Sequence, residues 1–238
     1  MDITSDRGFT LSLYSLLNTK RGGGCTLAPV CSSWVFVSRG STHRTKASPL
    51  GSRKGSTEVG NIMAARVAIL LLIAASRGIF WILEQPKGSL FEFHPQIQAV
   101  FTLLRCYRKH IHMRDFGAGS QKPTWLYSGH RYVDDINSFK PPRLPQARKT
   151  ALVDHYVDSK GVKRIKGSKA MKSSQSYPRQ FGTAVARLRT RYLTRVKKDA
   201  SNLLKTSGPV RKLTKRQSSF NVWVNAASLT SVIQYLSS

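Results

Sequence analysis

The sequence predicts an α/β fold built on a parallel β-sheet. Two segments near the start share one order of elements: an apolar helix, a glycine, a short apolar strand and a polar loop. This alternation is typical of sheets whose parallel strands are connected by helices. The strands are continuous apolar runs, as expected for strands buried on both faces. A chain of 238 residues, 40% of them apolar, is large enough to bury such a core.

The first unit spans residues 9–33. Apolar residues between Phe9 and Leu17 have the spacing of an amphipathic helix, which the three glycines at 22–24 are expected to end. Residues 25–30 predict a short buried strand. Cys31 is therefore expected just past the carboxyl end of that strand.

The second unit spans residues 61–86. Residues 61–77 predict a mostly buried helix, residues 79–83 predict the strand, and Glu84 opens the loop after it. In open α/β sheets ligands bind outside the carboxyl ends of the strands, so Cys31 and Glu84 would face one crevice if their strands are neighbours. The alternatives are a Glu84 that caps the next helix or is solvated, and a Cys31 that is a plain buried thiol.

Residues 34–60, between the two units, are rich in Ser, Thr, Gly, Arg and Lys and predict a long loop. Loops of this length are usually functional or disordered. Basic residues in it, Arg39 and Arg44 among them, could contact phosphates. A mobile surface loop is the alternative.

The remaining elements follow from periodicity and turn residues. We expect a helical stripe over 97–107, two short strands around a turn at 117–123, and a linker over 130–150. A hairpin at 151–165 and a helix at about 181–198 come next. Residues 206–238 give no clear prediction.

Basic residues are concentrated in the second half of the chain. Residues 136–238 hold 22 Lys or Arg but only 3 Asp or Glu, and the whole chain has a formal net charge of +28. Such a balance favours contact with nucleic acid or another polyanion. On the helix at 181–198 the candidates for phosphate contact are Arg187, Arg191 and Arg195. A solvated helix face or tail is the alternative.

Cysteine usage and hydropathy bear on the compartment. The three cysteines form no C-x-x-C pair, which suggests neither a disulfide framework nor a zinc site and fits a reducing, intracellular compartment. A nuclear location would suit a nucleic-acid partner. Two histidines, His110 and His112, make no metal site by themselves, so no metal is expected. The longest apolar run, residues 67–75, is too short to span a membrane, which needs about 20 residues.

Four segments then stand in a distinctive order. They are APVCSSW at 28–34, WILEQP at 81–86, DFGAGSQKPTWLYSG at 115–129 and SSQSYPRQFGTAVARL at 173–188. In this order they resemble motifs of the cytosine-C5 DNA methyltransferases, and the run from MDITSDRGF to FGAGSQKPT is similar to a broader group of uncharacterised methyltransferase-like proteins.

The resemblance implies a specific chemistry. Cys31 would be the nucleophile that attacks C6 of cytosine, Glu84 would hold the base at N3, and Lys122 would stand in for the family's arginine. The methyl group would come from S-adenosylmethionine, and the base would be flipped out of the duplex. Because the family's glycine-rich cofactor loop lies upstream, the expected fold is a Rossmann-like sheet that is incomplete at its N-terminus and carries a basic C-terminal extension.

The expected domains are a methyltransferase-like core over 1–130, a hairpin and basic helix over 131–200 that complete or extend it, and a tail over 201–238. Three functions remain open. The first is a methyltransferase-like protein acting on or near nucleic acid, active or not. The second is a non-enzymatic nucleic-acid-binding protein that works through its basic half. The third is a membrane-associated protein anchored near residues 62–83, although no membrane partner is expected.

Overall fold

A computed structural model describes residues 2–142, 152–168, 171 and 174–206, with side chains up to residue 196. The chain divides into two units, residues 1–192 and residues 193–238. The described part of the second unit, residues 193–206, is the continuation of the last helix. All other elements below belong to the first unit. The sequence-based expectations for the tail at 207–238 lie outside the described residues.

The described helices are α1 (Asp6–Asn18), α2 (Arg39–Thr42), α3 (Ser56–Ser76), α4 (Pro95–Leu103) and α5 (Arg179–Thr206). The strands are β1 (Gly24–Leu27), β2 (Phe80–Pro86), β3 (Tyr107–His112), β4 (Pro123–Ser128), β5 (Val153–Val157) and β6 (Lys163–Gly167). These elements confirm the helices predicted at 9–17, 61–77 and 181–198, and the strand pairs predicted around 117–123 and 158–161. The helical stripe predicted over 97–107 was too long, because α4 ends at Leu103 and Tyr107 begins β3.

The main sheet is mixed rather than parallel. Its order is β1-β2-β4-β3, in which β1 and β2 are parallel and β4 is antiparallel to both of its neighbours. The α/β class is confirmed, but the expectation of an all-parallel sheet was wrong. The connection from β3 to β4, residues 113–122, is too short for the crossover that parallel neighbours require, so β4 must reverse direction.

Three of the four strands still share one direction. Since β3 and β2 are both antiparallel to β4, β1, β2 and β3 all point the same way. Their carboxyl ends therefore meet at one edge of the sheet, and β4 begins at that same edge. We call it the carboxyl edge.

The core lies between α3 and the centre of the sheet. Residues 80–83 of β2 are at most 1% exposed, and Val67, Leu70 and Leu71 of α3 are fully buried. Burying one such side chain contributes about 1.5–3 kcal/mol. β2 is thus the continuous apolar strand that the sequence predicts for a strand covered on both faces.

Among the described residues, α3 is the one helix long and apolar enough to cross a membrane, with 21 residues and a mean hydropathy of 1.9. Half of its most apolar window is buried inside the protein, where it contacts α1, α4 and β2. Core helices of soluble proteins pass the same test of length and composition, so the test alone identifies no membrane span.

Three local expectations were wrong. Glu84 lies within β2 instead of in a loop, because pairing of Pro86 with Thr124 on β4 extends the strand. The long loop expected over 34–60 was wrong in extent: a 3-10 turn and α2 occupy residues 36–42, α3 begins at Ser56, and Trp34 is fully buried, which leaves residues 43–55 as loop. Residues Arg131–Phe139 form a 3-10 helix with two buried apolar side chains, where a linker was expected, whereas residues 143–151 lie outside the described part.

Candidate functional site

Four side chains from distant parts of the chain meet at the carboxyl edge. β1 ends at Leu27 instead of the expected residue 30, so Cys31 lies in the loop four residues beyond the strand. Glu84 lies near the end of β2, Lys122 directly precedes β4, and Tyr177 precedes α5. The Cys31 thiol interacts electrostatically with Glu84 and with Lys122. The structure therefore brings together the three residues that the resemblance selects, and adds Tyr177. We call these four residues the edge cluster.

Glu84 is the centre of the edge cluster. Its side chain is only 3% exposed, and Oε2 accepts a hydrogen bond of 2.5 Å from the hydroxyl group of Tyr177. Its other oxygen, Oε1, lies 3.5 Å from Nζ of Lys122 but has no hydrogen-bond partner among the described residues. Oε2 is therefore fixed by a hydrogen bond within the protein, whereas Oε1 can still accept one.

Lys122 approaches Glu84 from a strained backbone position. Its φ angle is 31°, in the left-handed region that non-glycine residues rarely adopt. Nζ also lies 4.5 Å from the centre of the Tyr177 ring, in a cation–π contact, and the side chain is 13% exposed. Strain of this kind is often found at functional sites, where surrounding contacts maintain it.

The loop that carries Cys31 is fixed to the strand that carries Glu84. The buried amide of Gln85 donates a 2.9 Å hydrogen bond to the carbonyl oxygen of Pro29, and Ser89 donates to the other end of that amide. The N–H of Trp34 donates to the carbonyl oxygen of Cys31 and closes a turn. The half-buried thiol is thus held in place from both sides.

Burial and the neighbouring Glu84 both raise the pKa of Cys31, while Lys122 opposes the shift. The resting group is therefore a thiol. A thiolate is the reactive form of cysteine, so nucleophilic attack needs a base that removes this proton. Glu84 is the carboxyl group of the edge cluster that interacts electrostatically with this thiol.

Tyr177 was assigned no role from sequence. It stands in the segment SSQSYPRQF, where an aromatic residue and a proline precede the helix, and this pair was the available signal. Burial, followed by the effect of Glu84, raises the pKa of Tyr177, so the phenol is neutral and acts as a donor. It orients Glu84 and closes one side of the edge cluster.

Arg44, one of the two loop arginines expected to contact phosphate, instead lies inside the protein. Its side chain is 1% exposed and stacks on Trp34, with the guanidinium carbon 3.4 Å from the ring centre. It donates to the carbonyl oxygens of Pro49 and Thr57 and to Asn61. These bonds hold residues 42–61 together. Burial lowers the pKa of the Arg44 guanidinium group to about 10. Arg44 therefore has a structural role here.

Arg39 is half-buried, donates to the carbonyl oxygen of Gly88 at 3.1 Å, and lies over Phe36. It ties α2 to the turn after β2, where one of its guanidinium nitrogens, Nε, is buried without a hydrogen-bond partner in the described structure. The structure therefore brings Arg39 near the end of β2 but not into contact with the edge cluster.

The arginines of α5 differ in exposure. Arg187 is exposed, whereas Arg191 is half-buried. Arg191 donates a hydrogen bond to Ser138 at 3.1 Å and forms an ion pair with Asp135 at 3.6 Å. Arg195 belongs to the described part of the second unit and is half-buried. Of the three, Arg187 has the exposure that a phosphate contact requires.

His110 and His112 lie side by side on β3, with ring centres 4.8 Å apart. Within the part of the chain that the structure describes, no group of three or more His, Cys, Asp or Glu side chains could hold a metal ion. The His110 ring packs on Trp125 of the neighbouring strand, a contact that gives it a packing role.

No family model, curated protein or solved structure matches the chain. Its function must therefore be inferred from its own residues. The edge cluster offers the most developed chemistry: a thiol, a cation, and a buried carboxylate whose Oε1 accepts no hydrogen bond from a described residue.

Proposed function

We propose that the chain is a methyltransferase-like protein that binds a single base of a nucleic acid in the edge cluster, with Cys31 and Glu84 handling the base. The observation that carries the proposal is Oε1 of Glu84, a buried oxygen that is ion-paired with Lys122 at 3.5 Å but accepts no hydrogen bond from a described residue. The Cys31 thiol interacts electrostatically with the same carboxyl group. A buried acceptor of this kind is costly unless a ligand supplies the donor. An exocyclic amino group or a protonated ring nitrogen of a base would do so.

The cluster supports addition of a thiol to a cytosine-type ring. Sγ of Cys31 forms a bond to C6, the π electrons of the C5–C6 bond shift toward C4 and N3, and N3 takes up a proton. That proton leaves the thiol, passes to Glu84 and is delivered to N3, so the charges balance. Lys122, 3.5 Å from Glu84, offsets the negative charge in the site throughout. The product is an enamine whose C5 is nucleophilic.

The methyl donor implied by the resemblance is S-adenosylmethionine. Cofactors of nucleotide type are held by glycine-rich turns after the carboxyl end of a strand. In this chain the glycines at 22–24 lie at the amino end of β1, opposite the edge cluster. The described residues do not fit this cofactor, and no proposed step depends on it.

Exposed basic groups support nucleic acid as the substrate. The hairpin of β5 and β6 exposes Lys163, Arg164 and Lys166, and α5 exposes Arg187. Lysine and arginine that contact phosphates hold a nucleic acid in register without reading its sequence. The edge cluster would then receive a base from a single strand, or one that has been flipped out.

Binding of single-stranded oligodeoxynucleotides, measured by fluorescence anisotropy, tests the proposal. We expect a strand with one central deoxycytidine to bind about tenfold more tightly than the same strand with an abasic site, a difference of about 1.4 kcal/mol. Glu84→Gln should abolish this preference. The matched control, Arg187→Ala, should weaken the binding of both strands equally. It should also reduce the slope of log affinity against log salt concentration by about one. Equal affinity of the wild type for both strands would overturn the proposal.

A second candidate is a non-enzymatic nucleic-acid-binding protein that uses the β5–β6 hairpin. A two-stranded ribbon fits the major groove of DNA. Lys166 lies over the half-exposed Tyr156 at 5.4 Å, which gives the ribbon a basic and aromatic surface. Tighter binding of duplex than of single strands, lost when Lys163 and Lys166 become alanine and unchanged by Glu84→Gln, would favour this candidate.

A further inference from the structure

The outer edge of β1 carries backbone groups that no described residue pairs with. Within the described structure β1 is the terminal strand of the sheet and pairs with β2 alone. The carbonyl oxygen of Gly23 accepts a hydrogen bond from the N–H of Phe80 on β2. Because backbone groups alternate in direction along a strand, those of Gly24 and Thr26 point away from β2, and both residues are exposed.

Edge strands are usually protected by lysine, proline or a bulge, since open backbone groups can pair with another chain. β1 reads Gly-Cys-Thr-Leu and contains neither lysine nor proline. Its register with β2 is regular over all four residues, which indicates that it has no bulge. The edge is therefore open to a further strand.

A cavity of about 1070 Å³ runs beside this edge. All four residues of β1 line it, together with the loop after β1 and one face each of α1 and α3. The face of α3 carries Val59, Met63, Val67 and Leu70, spaced as one helical stripe. Met63, Val67 and Leu70 are at most 4% exposed, whereas Val59 is 49% exposed. Val59 is therefore the apolar side chain of this stripe that an occupant would cover.

The wall formed by α1 is less polar than its sequence suggests. Its serine and threonine hydroxyls donate to carbonyl oxygens of α1 itself, with Ser15 bonded to Leu11 at 2.8 Å and Thr19 to Ser15 at 2.7 Å. Among the described lining residues the one charged side chain is that of Asp2, and none is lysine, arginine or histidine. The cavity is therefore unsuited to a phosphate or nucleotide and suited to apolar side chains.

We propose that β1 is a docking edge for a β-strand of another polypeptide, which pairs with Gly24 and Thr26 and places its alternate apolar side chains in the cavity between α1 and α3. Strand addition of this kind takes affinity from backbone hydrogen bonds and specificity from side-chain pockets. The inference goes beyond the proposed function, because it depends on no residue of the edge cluster.

The charge of the protein indicates what kind of strand fits. Lys20 and Arg21 are exposed just before β1, and Arg189 donates to the carbonyl oxygen of Gly22 at 2.8 Å. A formal net charge of +28 opposes association with a second copy of the same chain. The expected occupant is thus an apolar strand flanked by acidic residues, from a different protein.

A labelled peptide tests the proposal. The probe is a fluorescein-labelled heptapeptide of alternating valine and threonine with glutamate at both ends, titrated into the full chain and followed by anisotropy. We expect saturable binding that Thr26→Pro weakens at least tenfold, because proline removes the outward N–H while edge strands tolerate it. Thr26→Val, which keeps the backbone donor, should bind as the wild type does, and circular dichroism checks that all variants fold.

Amide hydrogen exchange gives a second readout. The peptide should slow exchange at Thr26, whose N–H is open, and leave Cys25, already bonded to β2, nearly unchanged. Absence of binding, or equal binding by Thr26→Pro, would overturn the proposal. So would a dimer in sedimentation analysis that Thr26→Pro dissociates, since the occupant would then be a second copy. Binding of the protein to neutral phosphatidylcholine vesicles, if the peptide did not reduce it, would overturn the proposal too. Lipid would then be the partner that covers α3.

Discussion

The side-chain amide of Gln85 donates a 2.9 Å hydrogen bond to the carbonyl oxygen of Pro29, 56 positions earlier in the chain. This bond joins the strand that carries Glu84 to the loop that carries Cys31. Parallel pairing of β1 and β2 places the two segments side by side, and Gln85 fixes the loop within that arrangement. The geometry of the edge cluster thus depends on a residue that takes no part in the proposed chemistry.

Replacing Gln85 with leucine should therefore loosen the loop. The change leaves the carbonyl oxygen of Pro29 and the hydroxyl group of Ser89 without their partner, and should lower the free energy of unfolding by about 1–3 kcal/mol. Chemical denaturation measures this loss, and the alkylation rate of Cys31 should rise. Gln98→Leu, on the exposed face of α4, is the matched control and should have little effect. Equal stability of the two variants would contradict the account of the loop.

The coupling between Cys31 and Glu84 can be measured by alkylation. Since Glu84 raises the pKa of Cys31 and Lys122 lowers it, Glu84→Gln should lower that pKa and Lys122→Met should raise it. The rate of alkylation by iodoacetamide, followed for each cysteine by mass spectrometry over a range of pH, gives these pKa values. Burial raises the pKa of Cys25 to about 11 and that of Cys106 to about 12, and neither should respond. If neither substitution changed the pKa of Cys31, the thiol would not be electrostatically coupled to Glu84 and Lys122.

Stability should depend on the titration of His94. This histidine is 3% exposed, and burial, followed by the nearby Arg44, lowers its pKa to about 4 from an ordinary value of 6.5. Because the folded state resists protonation, the stabilisation is complete above pH 6.5 and is lost as the pH falls toward 4. The loss should amount to about 3 kcal/mol.

Denaturation of His94→Gln across this pH range measures the contribution. The variant should lose less stability between pH 6.5 and 4 than the wild type does, whereas His155→Gln, an exposed change on β5, should follow the wild type. Parallel curves for the wild type and His94→Gln would show that His94 is not the group involved.

Arg44 should be among the most important residues for stability. Arg44→Met removes the donors for two carbonyl oxygens and the contact with Trp34, and should cost about 3 kcal/mol or more. Thermal and chemical unfolding of the full chain measure the change. Lys54→Met, an exposed neighbour in the same segment, should change the stability by less than about 0.5 kcal/mol. A small effect of Arg44→Met would mean that the guanidinium group is replaceable there.

The sequence predicts the elements of this protein better than their arrangement. Continuous apolar runs identify β2 and α3, and turn residues identify both hairpins, because these signals are local. The reversal of β4 depends on which neighbour it pairs with, a choice that hydrophobic pattern does not encode. The same reversal brings Lys122 to the carboxyl edge, so the cluster's cation was named from the resemblance and not from local pattern.

Charged residues were the least predictable. From its composition, a basic segment is expected to face solvent or contact phosphate. Arg44 is nevertheless buried, because carbonyl oxygens and a tryptophan converge on it. The role of Tyr177 was equally difficult to predict, because 93 positions separate it from Glu84 in the sequence. Long-range polar contacts of this kind leave no periodic signal in the chain.

The most direct test of the base-handling role is exchange of the C5 hydrogen of cytosine in D₂O. Addition of Cys31 to C6 makes C5 nucleophilic, so C5 takes up a deuteron from solvent without any methyl donor. Loss of the original C5 hydrogen as a proton and departure of the Cys31 sulfur from C6 then restore the double bond and leave deuterium at C5. With a single-stranded deoxycytidine oligomer, the wild type should incorporate deuterium at C5, detected by mass spectrometry. Cys31→Ser and Glu84→Gln should not, although both should remain folded. No exchange by the wild type, or undiminished exchange by Cys31→Ser, would contradict the account.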